Sequence, residues 1–416
     1  MIVGGTVMGS AIFLVPSSVA STLPNPILIA TVWIFAGLLT YFGALAFAEL
    51  GAMYPASGGQ YVYLRESWGK LTAFLFGWAF LLVIRSGGTA TLAVAFAIYV
   101  GHFVPLTPVA AKIVAVAVIL ILTLVNCRGV RLGAAVQNVF TVAKVLGVTV
   151  LIGSALVSPC VSVLEWSPPT VFSWSDFGVA TIACLWAYQG WFMGGMVAGE
   201  IKRPERNLPL ALSLGVGGII VIYLSANLAY LHVLTVPEIA GAERVAAMMA
   251  NRTMGEAGAS VVSLVILVSI FGALNGGILA GPRVYFAMAR DGLFFRKIAE
   301  VHPKYETPAL AILVQGGWAS VLAISGSYEK LFSYVIFSSW IFYGLAVGGV
   351  IVLRRRHPDF PRPYKMWGYP VTPALFVVTS MLFVANTLVT KPVPSLMGLL
   401  CVASGIPAYL LFRRSR

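Results

Sequence analysis

Two stretches place glycine and small polar residues in the middle of otherwise apolar runs: GGTVMGSAIF, from Gly4 to Phe13, and AYQGWFMGGM, from Ala187 to Met196. A helix interrupted inside hydrocarbon frees backbone N–H and C=O groups, which persist only where they line a cavity. The N–H groups that open the resumed half suit a carboxylate. The carbonyls that close the other half suit an ammonium. A zwitterionic amino acid satisfies both at once. Either stretch alone also reads as glycine-rich packing between close helices; their matched positions in two halves of the chain favour a binding site.

Three cations fall inside apolar runs: Arg85, Lys144 and Arg283. A charge at the bilayer centre costs at least about 2.5–3.5 kcal/mol, so each needs a partner or a wet cavity. Arg283, within two turns of Arg290, is expected to snorkel to the interface. Arg85, beside Ser86, Gly87 and Gly88, is expected to hydrogen-bond between helices rather than touch a substrate. Lys144 lies about two turns inside its run and carries the most information. His102, His232, His302 and His357 fall in loops or at the ends of runs. No nucleophile, paired acids or metal-ligand cluster shares one depth, so no enzyme, metal or cofactor is expected.

The elements that must position these groups follow from composition. Of 416 residues, 59% are hydrophobic and 10% charged, and the mean hydropathy is +0.92. The chain is therefore an all-α integral membrane protein. About twelve runs have the roughly 20 apolar residues a spanning helix needs. They cover 2–20, 29–53, 70–101, 109–126, 137–157, 178–198, 209–232, 259–288, 308–324, 331–353, 371–390 and 394–412. The first run lacks the basic n-region of a removable signal peptide and is expected to stay in the protein. PASGGQYVYLRESWGK, from Pro55 to Lys70, reads as an interfacial helix, and 236–252 looks similar on the other side. Cys127, Cys160, Cys184 and Cys401 have neither disulfide nor metal spacing.

With the N-terminus in the cytosol, Arg65, Lys70, Arg128, Arg131, Lys202, Arg203, Arg206, Arg290, Arg296, Lys297, Lys304, Arg354, Arg355, Arg356, Arg362, Lys365, Arg413, Arg414 and Arg416 fall inside. Only Lys112, Arg244, Arg252, Lys330 and Lys391 fall outside. Nineteen against five is the positive-inside bias and places both termini in the cytosol. The net charge of +13 is spread over short loops, which excludes a nucleic-acid face and makes it a topological signature; the run from Arg354 reads as a topology anchor, with contact to anionic lipid headgroups as the alternative.

The strings VMGSAIFLVPSSVA, ALAFAELGAMYPASGGQYVYL, VIRSGG, VQNVFTVAKVLG and LWAYQGWFMGGMVAGEIKRPERNLPLAL resemble the L-amino-acid transporter (LAT) family of the amino acid–polyamine–organocation superfamily, over nearly the whole chain. The resemblance implies the LeuT fold, with 1–157 and 178–353 as inverted repeats, 371–412 as peripheral helices, and alternating access to a central amino-acid site. It assigns Gly9, Ser10, Ala11 and Ile12 to the carboxylate end, with alanine at position 11 where the family usually has glycine. It makes Trp186 the aromatic cover, Ala187 and Gly190 acceptors for the ammonium, and Tyr223 a tyrosine near the cytosolic gate. Lys144 stands where sodium-coupled relatives hold a cation, bridging span 1 to the Ser269 region of span 8.

Gln189 faces the side-chain pocket in that family, where members that take cationic substrates tend to carry an acid; a glutamine there implies neutral substrates. Ala11 and Trp186 favour small ones, while Gly194 and Gly195 are expected to open room. The chain begins at the edge of span 1, without the cytosolic tail common in the family. Eukaryotic members bind a heavy chain through a cysteine after span 3; positions 102–107 hold none, so a stand-alone protein is expected. The leading function is sodium-independent amino-acid exchange in the cytoplasmic membrane. The alternatives are proton-coupled symport through Lys144, and, further off, a membrane enzyme or a channel.

Overall fold

The computed structural model describes residues 2–9, 11–158, 172–326, 328–390 and 392–414. Ser10, Cys160, Lys391 and Arg416 lie outside the described residues. The regular structure within them is helical. The first part of the chain forms α1 (Ile2–Val7), α2 (Ala11–Thr22), α3 (Pro26–Met53), α4 (Gln60–Trp68), α5 (Lys70–Ala79), α6 (Arg85–Val100), α7 (Pro108–Cys127) and α8 (Val130–Leu156). The middle forms α9 (Trp174–Ala187), α10 (Met193–Met196), α11 (Pro204–Val233), α12 (Val236–Gly241), α13 (Val245–Ala280) and α14 (Pro282–Arg290). The last part forms α15 (Ala309–Ser325), α16 (Tyr328–Arg356), α17 (Val371–Thr390), α18 (Pro392–Ala403) and α19 (Gly405–Arg414).

Among the described residues, nine helical segments are long and apolar enough to cross a bilayer. The remaining expected spans are the two interrupted ones and α15, which has 17 residues. Local chemistry sets several starts. Asn25 accepts from the N–H groups of Ile27 and Leu28, with Pro26 preset for the first turn of α3. Thr107 and Pro108 do the same for α7, and Ser173 accepts from Asp176 N–H to open α9.

The core sits where α3 packs on α11 and α13 on α8. At the far end of α3 the fully buried Glu49 carboxylate accepts from Arg354 Nε and Nη2 at 2.8 and 2.6 Å and from the Met366 N–H at 2.8 Å. That closes the loop after α16 onto α3. A buried carboxylate is tolerated because all these donors are present.

Three elements differ from the sequence reading. Residues 80–84 form a π turn between α5 and α6 inside the third span. The helix of span 8 starts at Val245, with non-helical angles at Gly255, rather than near 259. The third is α4, the helix read as interfacial, which packs into the bundle: Gln60, Tyr61, Val62, Tyr63, Leu64 and Ser67 are buried. Gly59 at φ +48° abuts the Gly195–Met196 backbone, and the Gly58 N–H donates to Met196 O at 3.1 Å. The glycines thus wedge α4 into the bundle beneath α10.

Candidate functional site

Span 1 loses helical form after Val7 and regains it at Ala11, and span 6 loses it after Ala187 and regains it at Met193. The two breaks are pressed together. Gly190 adopts φ +117°, and a Cβ there would stand 2.8 Å from the Thr6 oxygen and 3.2 Å from the Val7 nitrogen. Only glycine fits a left-handed backbone at such an approach. Thr6 Oγ1 donates to Gly190 O at 3.1 Å. The Tyr223 hydroxyl lies 3.0 Å from Val7 O and 3.2 Å from Ala187 O, the last carbonyls of the two helical halves. Trp33 and Tyr188 pack edge-on and tilted against the Tyr223 ring and fix it. Tyr223 therefore stands at the breaks, within the length of α11.

On the opposite side of α1, Lys144 is fully buried. Its ammonium donates to Gly5 O at 2.8 Å, Met8 O at 2.7 Å and Ser269 O at 3.1 Å. Three donors meet three carbonyls, which fills the hydrogen-bonding capacity of the group. Ser269 Oγ also donates to Met8 O, at 3.1 Å. Gly5 lets α8 come this close, since a Cβ there would collide with Gln137 and Thr141. The lysine links the broken end of α1, α8 and α13 through an oxygen cage of the kind a cation would use.

Between the breaks lies a cavity of about 60 Å³, room for several waters or a small solute given about 10–15 Å³ per water. Gly9, Ala11, Trp186, Gln189 and Gly190 form part of its wall. Ile12 and Ala187 are buried beside it but outside the wall. The first turn of α2 carries N–H groups without intrahelical acceptors. The carbonyls expected to take an ammonium already accept hydroxyls here, Ala187 O from Tyr223 and Gly190 O from Thr6. Gly190 O also accepts the Met193 N–H at 3.1 Å, so of the two only Ala187 O retains a second lone pair. Gln189 Nε2 donates to Ser339 Oγ at 3.2 Å and to the Tyr343 hydroxyl at 3.3 Å, which ties the pocket to α16.

Several expectations are corrected. Gly194 and Gly195 do not widen the cavity: a Cβ on the first would meet Val3 at 2.9 Å and on the second Tyr63 OH at 2.6 Å, so they serve close helix packing. Arg283 does not snorkel. It is 2% exposed and ion-paired to Glu200 at 3.0 Å, and it also donates to Leu279 O. Arg85 does hydrogen-bond between helices, to the Met193 sulfur at 3.6 Å, besides Thr89 on its own helix, and it also lies in the cavity wall. Wall residues that the sequence reading did not single out include Thr6, Phe80, Leu92, Phe192 and Met193. A signal existed for Thr6, Phe192 and Met193, which lie inside the two glycine stretches, and none for Phe80 and Leu92, which read as ordinary membrane residues.

A family model described as amino acid permease matches residues 1–410. The chain is 35% identical to the b(0,+)-type amino acid transporter 1 of Homo sapiens over 99% of its own length and 86% of the relative's. It is 32% identical to the serine/threonine exchanger SteT of Bacillus subtilis, over 97% and 93% of the two chains. It is 30% identical to the human cystine/glutamate transporter, over 99% and 83%.

Proposed function

The chain belongs to the amino acid permease family, and from that premise we propose that it is a sodium-independent exchanger of neutral amino acids, working by alternating access as a multi-pass protein of the cell membrane. The observation that carries the reading is the pair of apposed breaks, with α2 offering N–H groups and α9 offering carbonyls around one cavity. The α-carboxylate docks at the Gly9 to Ile12 segment and the ammonium at the Ala187 and Gly190 carbonyls, exchanging for the Thr6 and Tyr223 hydroxyls. Lys144 replaces a coupling cation by holding Gly5, Met8 and Ser269 carbonyls together. The breaks fall in the first span of each proposed repeat, 1–157 and 178–353, with 371–412 outside them. The bias of basic residues supports cytosolic termini. The loop from α6 to α7 offers no cysteine to a partner chain, which supports a protein that works alone.

Neutral substrates follow from Gln189. A lysine or arginine side chain entering beside it would lose hydration with no carboxylate to replace it. Uptake of labelled serine into proteoliposomes, crossed with sodium and proton gradients, tests the proposal. Replacing sodium by choline at constant pH leaves the initial rate unchanged. A rate that collapses without sodium overturns the assignment of Lys144, and one driven by the proton gradient alone establishes symport instead.

A further inference from the structure

The π turn at Phe80–Ile84 ends with the Arg85 N–H bonded to the Phe80 carbonyl. Residues five apart stack in such a turn, so Arg85 joins Phe80 on the cavity face, and Gly88 and Leu92 continue that face along α6. Glycines on α13 make the room. A Cβ on Gly277 would stand 2.3 Å from Arg85 Nη2, and one on Gly281 2.7 Å from Cγ.

Arg85 is 7% exposed, yet among the described residues it forms no ion pair. Nε and Nη2 donate to the single Thr89 hydroxyl at 3.3 and 3.1 Å, and Nη1 meets the Met193 sulfur at 3.6 Å. Five N–H donors thus face one hydroxyl and one thioether, a weak acceptor. A membrane-buried cation with so little compensation is stabilised by any acceptor that enters the cavity.

The guanidinium leans along α6 toward the breaks: it bonds Thr89, three residues or about 4.5 Å of helix before Leu92, which a Cβ on Gly9 would touch at 3.5 Å. A substrate whose carboxylate docks at the Gly9 break therefore places its side chain in the cavity that Arg85 lines.

Resting on the amino-acid reading above, we propose that Arg85 is a specificity-determining residue, which takes the carboxamide or carboxylate at the end of a substrate side chain and repels cationic ones. The test is competition against labelled serine uptake in proteoliposomes by glutamine, glutamate, norleucine and lysine. Norleucine has the length without the acceptor. In the wild-type protein glutamine and glutamate compete at least about tenfold better than norleucine, equivalent to about 1.4 kcal/mol, and lysine competes worst. Arg85→Gln abolishes the preference for glutamate over norleucine and lets lysine compete, whereas Arg85→Lys keeps glutamate ahead of norleucine. Wild-type competition in which norleucine equals glutamine overturns the proposal without any variant. So does a folded Arg85→Gln protein that carries serine with an unchanged order. Absence of serine uptake by the wild type overturns the amino-acid reading itself, and this inference with it.

Discussion

The ammonium of Lys144 donates to the carbonyl of Met8 at 2.7 Å, across a gap of more than a hundred residues in the chain. Met8 is the first residue after α1, so the bond fixes the lower lip of the break. Gly5 and Ser269 complete the cage, which joins a segment of the proposed site to α8 and to α13, whose Ala273 also lines the cavity. A link of this kind transmits movement without touching substrate.

Lys144→Ala therefore slows transport more than it weakens binding. Removing the ammonium takes a charged donor from three buried carbonyls, Met8 O keeping only the Ser269 hydroxyl, and initial uptake falls about tenfold or more, the effect of about 1.4 kcal/mol on the barrier. Affinity on solubilised protein stays within about threefold. An affinity that collapses while the residual transport runs at normal speed places Lys144 in the binding site instead.

Glycines of the two interrupted spans divide by what surrounds them. Gly190→Ala combines a left-handed backbone with a Cβ 2.8 Å from the Thr6 oxygen and costs on the order of 2 kcal/mol. Its melting temperature in detergent falls and uptake is lost. Gly4→Ala meets nothing within 4 Å and lies inside α1, so melting is unchanged or raised. Equal behaviour of the two variants contradicts the apposition of the breaks.

Outside the bundle, Glu238 and Arg252 give a pH-dependent contact. Arg252 Nη2 and Nη1 donate to the carboxylate at 2.5 and 3.1 Å, and the Thr235 N–H donates at 2.7 Å. These donors hold Glu238 down at about 2, from an ordinary 4.5. A depressed carboxylate adds stability that is complete above pH 4.5 and vanishes as pH falls toward 2. The side chains are 35% and 34% exposed, and solvent screening limits the pair to about 1 kcal/mol or less. The melting difference between wild type and Glu238→Gln is flat from pH 7 to 5 and closes below 4.5. A gap that widens on acidification refutes the assignment.

Gln189 is held by Ser339 and Tyr343 in the cavity wall, so a charge placed there acts on the substrate. Gln189→Asp admits lysine and arginine as competitors of serine uptake, from no measurable inhibition to inhibition at millimolar concentration, about 4 kcal/mol of binding. Unchanged exclusion of both cations removes Gln189 from the account of charge selectivity.

The breaks were legible in the sequence because glycine and polar residues inside an apolar run have few structural uses, and Lys144 because a buried cation demands acceptors. What escaped was set by packing between distant parts of the chain. The π turn lies in FLLVI, five apolar residues with no local mark, and it alone aims Arg85 at the cavity. Arg283 looked free to snorkel because its partner, Glu200, lies 83 residues away. The burial of α4 depends on Gly59 meeting Gly195 and Met196, a contact that amphipathic periodicity does not encode. Gly194 and Gly195 illustrate the same limit: a glycine next to a site admits either ligand or a neighbouring helix, and only the neighbour's position decides.

The most direct test of the exchange claim is counterflow. Proteoliposomes loaded with unlabelled serine and diluted into trace labelled serine, with no ion gradient, are predicted to accumulate label several-fold above empty proteoliposomes before decaying to equilibrium. Lys144→Ala lowers the rate of that rise. Equal accumulation in loaded and empty vesicles, or none in either, contradicts exchange through the two facing breaks.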